Sequence, residues 1–340
     1  MKKFKTMLVT GGAGFVGGHL IEALLARGYR VVCLDLFTYA GSLKHLAPAM
    51  AAHPHHLADR LWQPDLLRKT SSRLIIVRGD INDSAMLGAL LAGCDGVIAL
   101  AAETHVDYSY LTPGSFVRAN IDGTHALLEA LRLVGKGRRL LQVSTDEVCG
   151  ERRKGRAVES AALRPRNIYA ATKACGELLA RAYAEVFGLN VVVVRPCNLI
   201  GPRQQPKDLI PKTFSYLLRG RKMTVHGNGR HVREYLFVRD AVEQMIAVYE
   251  RGRRGEIYNL SSMVGRSTLQ VVRAVARSLK IPAREAMTFV ADRPNPDRRY
   301  AGDNRKIRQL LGRRWKLTPF QEVIGQMRDD FAARQPEPLI

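Results

Sequence analysis

The 340-residue chain sets 53 lysines and arginines against 31 aspartates and glutamates, for a formal net charge of +22, with 46% hydrophobic and 25% charged residues. That length and balance suit a soluble enzyme able to bury a large core in two lobes; no apolar run reaches membrane-spanning length, and a strand follows the opening Met1-Lys2-Lys3-Phe4-Lys5 where a signal peptide would place its apolar core. A cytoplasmic protein is expected, with a field that attracts anionic substrates; the arginines form no aromatic-interleaved stripe and no nucleic-acid motif, so a nucleic-acid partner is not.

Met7-Leu8-Val9-Thr10 reads as a short strand, followed by Gly11-Gly12-Ala13-Gly14-Phe15-Val16-Gly17 and an amphipathic helix over 19–26 that ends near Gly28. Gly11, Gly14 and Gly17 form Gly-x-x-Gly-x-x-Gly, whose bare backbone lets a pyrophosphate approach the helix N-terminus. The next strand, 30–34, runs into Asp35, where a carboxylate accepts ribose hydroxyls and repels a 2′-phosphate, so the expected cofactor is NAD rather than NADP. Over 45–73, Pro48, Pro54, Trp62, Pro64 and His53, His55 and His56 predict an extended loop with short helices at the ligand-binding edge. These histidines lack a supporting carboxylate or cysteine framework, so no metal is expected. Strands at 74–77 and 97–101 and a helix over 116–134 continue the alternation, which predicts a Rossmann-type doubly wound parallel sheet.

A strand at 140–144 then leads into Ser144-Thr145-Asp146-Glu147, and a helix over 168–187, stopped by Gly188, carries Tyr169 and Lys173. Four residues apart, these two share a helix face. The ammonium is expected to lower the tyrosine pKa from about 10, so that the phenol can take a hydroxyl proton. After a strand at 189–194 the chain becomes turn-rich (Arg195-Pro196-Cys197-Asn198, Gly201-Pro202-Arg203), with a helix near 210–219 and a basic stretch over 227–233. The expected division is a dinucleotide-binding domain over 1–195, to which parts of 230–260 return, and a smaller interleaved substrate lobe over 196–335, with a loose tail at 333–340. Cys33, Cys94, Cys149, Cys175 and Cys197 include no Cys-x-x-Cys pair and read as free thiols in a reducing compartment.

Taken together, TGGAGFVG (10–17), TYAG (38–41), GDIND (79–83), AAETHVD (101–107), STDEV (144–148), Tyr169-x-x-x-Lys173, Arg233 to Tyr235 and ADRPNPDRRY (291–300) span nearly the whole chain. In that order they resemble the extended short-chain dehydrogenase/reductases, and specifically the dTDP-glucose 4,6-dehydratases. The resemblance implies that Tyr169, assisted by Lys173 and Thr145, takes the C4 hydroxyl proton while NAD oxidises C4. It implies further that Glu147 then removes the C5 proton, that Asp146 as a general acid protonates the departing C6 hydroxyl, and that the hydride returns to C6. For that role Asp146 must keep its proton near neutral pH, which burial and the Glu147 charge would provide. NAD contacts are implied at Gly11, Gly14, Phe15, Val16, Gly17, Asp35, Thr38, Ala40, Gly41, Asp80, Ile81, Ala101, Ala102, Ser144, Tyr169 and Lys173. Substrate contacts are implied at Glu103 and His105, at Asn198 near the sugar, at Asn259 near the nucleoside, and at Arg233 and Arg299, whose guanidinium forks suit a diphosphate. A homodimer is implied as well.

The chain departs from the family pattern at Cys149, where Tyr is usual, at Asn198-Leu199-Ile200-Gly201-Pro202, at Lys207-Asp208-Leu209-Ile210-Pro211, at Val225-His226-Gly227 and at Asn295-Pro296-Asp297. Several of these surround the nucleotide, which leaves a UDP-sugar open beside a dTDP-sugar. Two other functions stay open at this point: an epimerase or decarboxylase using Tyr169 and Lys173 without Asp146, and a noncatalytic NAD-responsive protein whose positive surface engages nucleic acid.

Overall fold

The computed structural model describes residues 5–58, 70–135, 137–292, 297–312 and 315–333. Eight strands form one wholly parallel sheet: β1 (Thr6–Thr10), β2 (Arg30–Asp35), β3 (His55–Ala58), β4 (Leu74–Arg78), β5 (Gly96–Ala99), β6 (Arg139–Val143), β7 (Asn190–Pro196) and β11 (Ile257–Leu260). Their order is β11-β7-β6-β5-β1-β2-β4-β3. Burial on both faces explains the near-continuous apolar runs of these strands. Met7, Val9, Val31 and Cys33 point into one core layer, whereas Leu8, Val32 and Leu34 point into the other. The sheet grows in one direction from β1 through β2 and β4, and in the other through β5, β6 and β7. The carboxyl ends of β1 and β5 therefore flank a topological switch point, the place where open α/β sheets bind ligands.

Two smaller sheets are built from the chain after β7: β8 (Asn198–Ile200), β10 (Val232–Phe237) and β12 (Gly265–Ser267) form one, and β9 (Met223–His226) with β13 (Met287–Val290) the other. The chain re-enters the large sheet through the helix Val238–Arg251, which packs on β6 and β7, and through β11.

Three sequence expectations change. The segment expected as an extended loop with short helices holds a helix, Leu43–Ala52, capped by Ser42, but also an unexpected edge strand, β3, that pairs in parallel with β4. His55 and His56 therefore lie on a strand; Trp62 and Pro64 fall outside the described residues. The single helix expected over 116–134 is Pro113–Val117, one π-helical turn over Arg118–Asp122 and then Gly123–Leu133. The extra residue accompanies an inward-facing Asn120, whose carbonyl takes the Thr124 hydroxyl at 2.8 Å and whose amide bonds to Thr172. Finally, β5 stops at Ala99, so Ala101 lies in the turn beyond the sheet. The helix Ile168–Val186 closes as expected, with Gly188 at φ +71° just past its end.

Candidate active site

The glycine turn after β1 is shaped first by its own chain. Gly11 has φ +68°, and a Cβ there would stand 2.6 Å from the Ala101 backbone nitrogen; a Cβ on Gly17 would stand 2.5 Å from the Gly11 carbonyl oxygen. Gly14 is less crowded. It starts the helix Phe15–Ala26 with no side-chain cap, so the helix's first N–H groups and positive dipole end remain available to an anion. Asp35, at the end of β2, accepts the Ala13 N–H at 2.9 Å and the Phe37 N–H at 2.8 Å, which ties the glycine turn to the neighbouring strand. Burial raises its pKa against the pull of those two donors. Gly41, in the turn with Thr38 and Ala40, passes so close that a Cβ would meet Asp35 Oδ1 at 2.5 Å. Asp80 and Ile81 follow β4, Ala101 and Ala102 follow β5, and Ser144 follows β6. The expected cofactor contacts thus line one carboxyl edge of the sheet, and a cradle too tight for Cβ atoms, beside an uncapped helix, fits a dinucleotide pyrophosphate.

Beyond β6, Thr145 caps the short 3-10 turn Asp146–Cys149, accepting the Glu147 N–H at 3.4 Å. This turn buries Asp146. Its carboxyl is pushed up to about 8, by desolvation first and the Glu147 charge second, and its Oδ2 has no hydrogen-bond partner among the described residues. Glu147 is half-buried and accepts the Asn167 amide at 3.0 Å, while the Asn167 carbonyl caps the Tyr169 helix through the Ala170 N–H at 2.7 Å. One N-cap residue therefore fixes both the tyrosine's helix and the adjacent carboxylate. Burial raises the Glu147 pKa; Asn167, Arg233 and the Tyr300 hydroxyl oppose it.

Tyr169 and Lys173 lie on the helix as expected, but their electrostatics differ. The buried Lys173 ammonium donates to the Val143 carbonyl of β6 at 2.7 Å, and burial lowers its pKa to about 8. The Tyr169 pKa is raised rather than lowered, by burial and then by Glu147, with the Thr145 hydroxyl pulling the other way. Helical spacing alone does not report that the ammonium is turned to the strand while two carboxylates lie beside the phenol.

On the substrate side, Glu103 is held from both directions by Asn120, whose Oδ1 accepts its N–H and whose amide donates to its carbonyl. His105 precedes the helix Val106–Leu111 with φ +83° and packs on Tyr108 at 4.9 Å. Lys207 Nζ lies 3.7 Å from the Tyr39 ring centroid and 4.5 Å from that of Tyr108. Asn198 donates to the Glu234 carbonyl. Arg233 donates to the Val232 and Asp297 carbonyls, lies 4.5 Å over the Tyr300 ring, and favours the charged forms of Asp146 and Glu147. Arg299 and Asn259 hold backbone: Arg299 donates to the carbonyls of Arg152 and Gly155, and the buried Asn259 amide to that of Ala157. Asn120 and Asn167 join the site without having been singled out by sequence, and Lys207 and Tyr300, named there only within longer motifs, join it as individual side chains. Asn167 carries a readable signal as an N-cap residue two positions before Tyr169.

The family model for GDP-mannose 4,6 dehydratase matches residues 8–327. The chain belongs to this family. It is 38% identical over 326 residues to a dTDP-glucose 4,6-dehydratase of Xanthomonas campestris pv. campestris, covering 90% of this chain and 88% of the relative. It is 36% identical over 313 residues to a trifunctional UDP-glucose 4,6-dehydratase, epimerase and reductase of Arabidopsis thaliana, covering 90% of this chain and 44% of that longer one. Among solved structures, the dTDP-glucose 4,6-dehydratase of Streptomyces venezuelae, crystallised with NAD, superposes with a TM-score of 0.86 at 36% identity over 96% of this chain and 97% of that one. In this chain the Asp146-Glu147 turn and the Tyr169 helix are joined through one residue, Asn167.

Proposed function

We propose that this chain is an NAD-dependent nucleotide-sugar 4,6-dehydratase that converts a dTDP-glucose-like NDP-hexose to the 4-keto-6-deoxy sugar nucleotide and water. The observation that carries the reading is the buried Asp146, its carboxyl pushed up to about 8, adjacent to Glu147, which Asn167 ties to the Tyr169 helix. One group able to give a proton, one able to take a proton and a phenol are what elimination from an oxidised sugar requires.

In this reading NAD rests against Gly11, Gly14 and Gly17, with Asp35 at its ribose, and when bound it supplies the reversible two-electron oxidation of the C4 carbinol. Tyr169, with Thr145 at its hydroxyl, takes the C4 hydroxyl proton. Lys173, anchored on Val143, fixes the helix face that presents it. Once C4 is a ketone, the C5–H bond is acidified, and Glu147 removes that proton while Asp146 protonates the C6 hydroxyl, which leaves as water. Arg233 moderates both carboxyl groups, and its guanidinium fork suits the phosphate oxygens of the proposed substrate.

Relatives named for both dTDP-glucose and UDP-glucose support a glucose-like hexose and leave the base to experiment. Homodimerisation is part of the proposal, supported by exposed Leu111, Val117 and Leu178 on helices that pack together. A cytoplasmic setting is too, supported by four buried free cysteines. The test is incubation with dTDP-, UDP-, GDP- and CDP-hexoses, scoring the 4-keto chromophore and the mass of the product. Loss of one water with no net NADH is the expected result; an epimerised or decarboxylated product would overturn the reading.

A further inference from the structure

A carboxylate that takes a proton from carbon must be ionised and aimed, and a glutamate side chain has rotamer freedom to lose before it is either. Glu147 is held from twenty residues further along the chain. Asn167 Nδ2 donates to Glu147 Oε2 at 3.0 Å, and Asn167 Oδ1 accepts the Ala170 N–H at 2.7 Å as the N-cap of the helix Ile168–Val186. The two bonds lock each other. Turning the amide over would set its oxygen against the Glu147 oxygen and its NH2 against the Ala170 N–H, so both partners would be lost at once. Serine, threonine and aspartate also cap helices. Aspartate, however, has no donor to offer a carboxylate, and a hydroxyl has one oxygen for both tasks, so asparagine is the capping side chain that suits this position.

We propose, on the dehydratase reading above, that Asn167 is a positioning residue for the elimination: its amide aims Glu147 at C5 while its carbonyl sets the start of the helix that carries Tyr169. The two bases of the reaction, one for the C4 hydroxyl and one for C5, thereby share a single reference point. Donation to the carboxylate also favours its ionised form, which is the form that accepts the C5 proton. The other groups that act on Glu147 do not depend on residue 167 for their chemistry. They are Asp146 on its own turn, Tyr169 on the helix, Arg233 on β10, and Asp297 and Tyr300 beyond β13.

Two variants keep a cap and remove the donor: Asn167→Ser leaves the place beside Glu147 without an amide, and Asn167→Asp turns an acceptor toward it. If one fails to fold, the other carries the test. Each is mixed with dTDP-glucose for a single turnover, and reduced nicotinamide is followed as it rises with C4 oxidation and decays when hydride returns after elimination. The rise should stay within about twofold of native, because the helix is still capped. The decay should slow about ten- to a hundredfold, the rate equivalent of a hydrogen bond to a charged group. Two further readouts separate aiming from mere support of the helix. Deuterium at C5 of the substrate should slow the decay more in the variants than in the native enzyme, as C5 proton removal becomes the slowest step. The acidic limb of the decay rate should also move to higher pH, furthest in Asn167→Asp, because Glu147 has lost a donor that favours its ionised form. Native decay in a folded variant, an unchanged C5 isotope effect, or rise and decay slowed by the same factor would overturn the positioning role. Native enzyme that makes no 4-keto-6-deoxy product from any NDP-hexose would instead overturn the dehydratase reading itself, so the two failures are distinguishable.

Discussion

Asparagine at position 146 keeps the shape of aspartate and loses its titratable proton. In the folded chain Asp146 titrates at about 8, because burial and then Glu147 penalise the carboxylate; in an unfolded chain an aspartate titrates at about 3.9. The sign follows from that order. A group whose folded pKa is raised contributes stability that is fully present below the unfolded value, near pH 4, and is lost as pH rises through the folded value, near pH 8. About four pH units at about 1.4 kcal/mol each set an upper figure of ~5 kcal/mol for the loss across that window. Asp146→Asn has no such loss, so its stability advantage over the native chain should widen with pH and level off above about pH 8. Urea denaturation of both proteins at about pH 5, 7 and 9 measures this, with an expected widening of a few kcal/mol. The variant should also oxidise C4 yet fail to release water, seen as reduced nicotinamide that accumulates with the C6 hydroxyl intact. A stability gap that stays flat from about pH 5 to 9 would refute the buried-proton argument, and native-rate dehydration would refute the role of Asp146 as acid.

Tyr169→Phe should lower both transient NADH and product by about a hundredfold or more, the usual size of general-base assistance, in a stopped-flow absorbance assay; full oxidation would assign the base elsewhere. Asp35→Ala removes the anchor of Ala13 and Phe37 as well as the ribose acceptor, so calorimetry should find NAD affinity lowered by at least about tenfold, roughly 1.4 kcal/mol, with NADP affected much less. Glu177→Gln leaves the Arg195 guanidinium, 1% exposed, without its carboxylate. Denaturation should then report a cost of about 3–5 kcal/mol, and a shift under about 0.5 kcal/mol, the size of an ordinary surface change, would contradict the burial of that pair.

What was legible in the sequence is what short-range rules govern. The glycine spacing, the acidic end of the second strand and the alternation of apolar runs located the sheet's ligand edge, because each is a local requirement of backbone geometry or strand burial. The Tyr169–Lys173 helix was legible for the same reason. The edge strand β3 was not, since its four residues, His-His-Leu-Ala, carry no β-branched or alternating signature and are held in place by β4. Nor was the π-helical turn, which depends on Asn120 reaching Glu103 and Thr172 from distant parts of the chain. Arg233 and Arg299 look alike as sequence. One lies over Tyr300 and acts on the Asp146 and Glu147 carboxyl groups, and the other anchors the 152–155 backbone, a difference that tertiary packing decides.

The electrostatic misreading of Tyr169 also orders the chemistry. Both Asp146 and Glu147 raise the phenol's pKa, yet a carboxyl pushed up to about 8 is mostly protonated at pH 7 and then adds little negative charge beside Tyr169. In the proposed mechanism, the proton that Asp146 holds for elimination therefore also makes the phenol easier to ionise during the preceding oxidation. Thr145 connects the two groups physically: its hydroxyl meets Asp146 Oδ1 at 3.4 Å and favours the ionised form of Tyr169. Lys173 contributes by a different route from the one its spacing suggests, through its bond to the Val143 carbonyl, which ties the tyrosine helix to the strand that delivers Ser144 to Glu147. In the proposed mechanism, oxidation and elimination share one protonation state of one turn, whose burial lowers stability as pH rises above about 4.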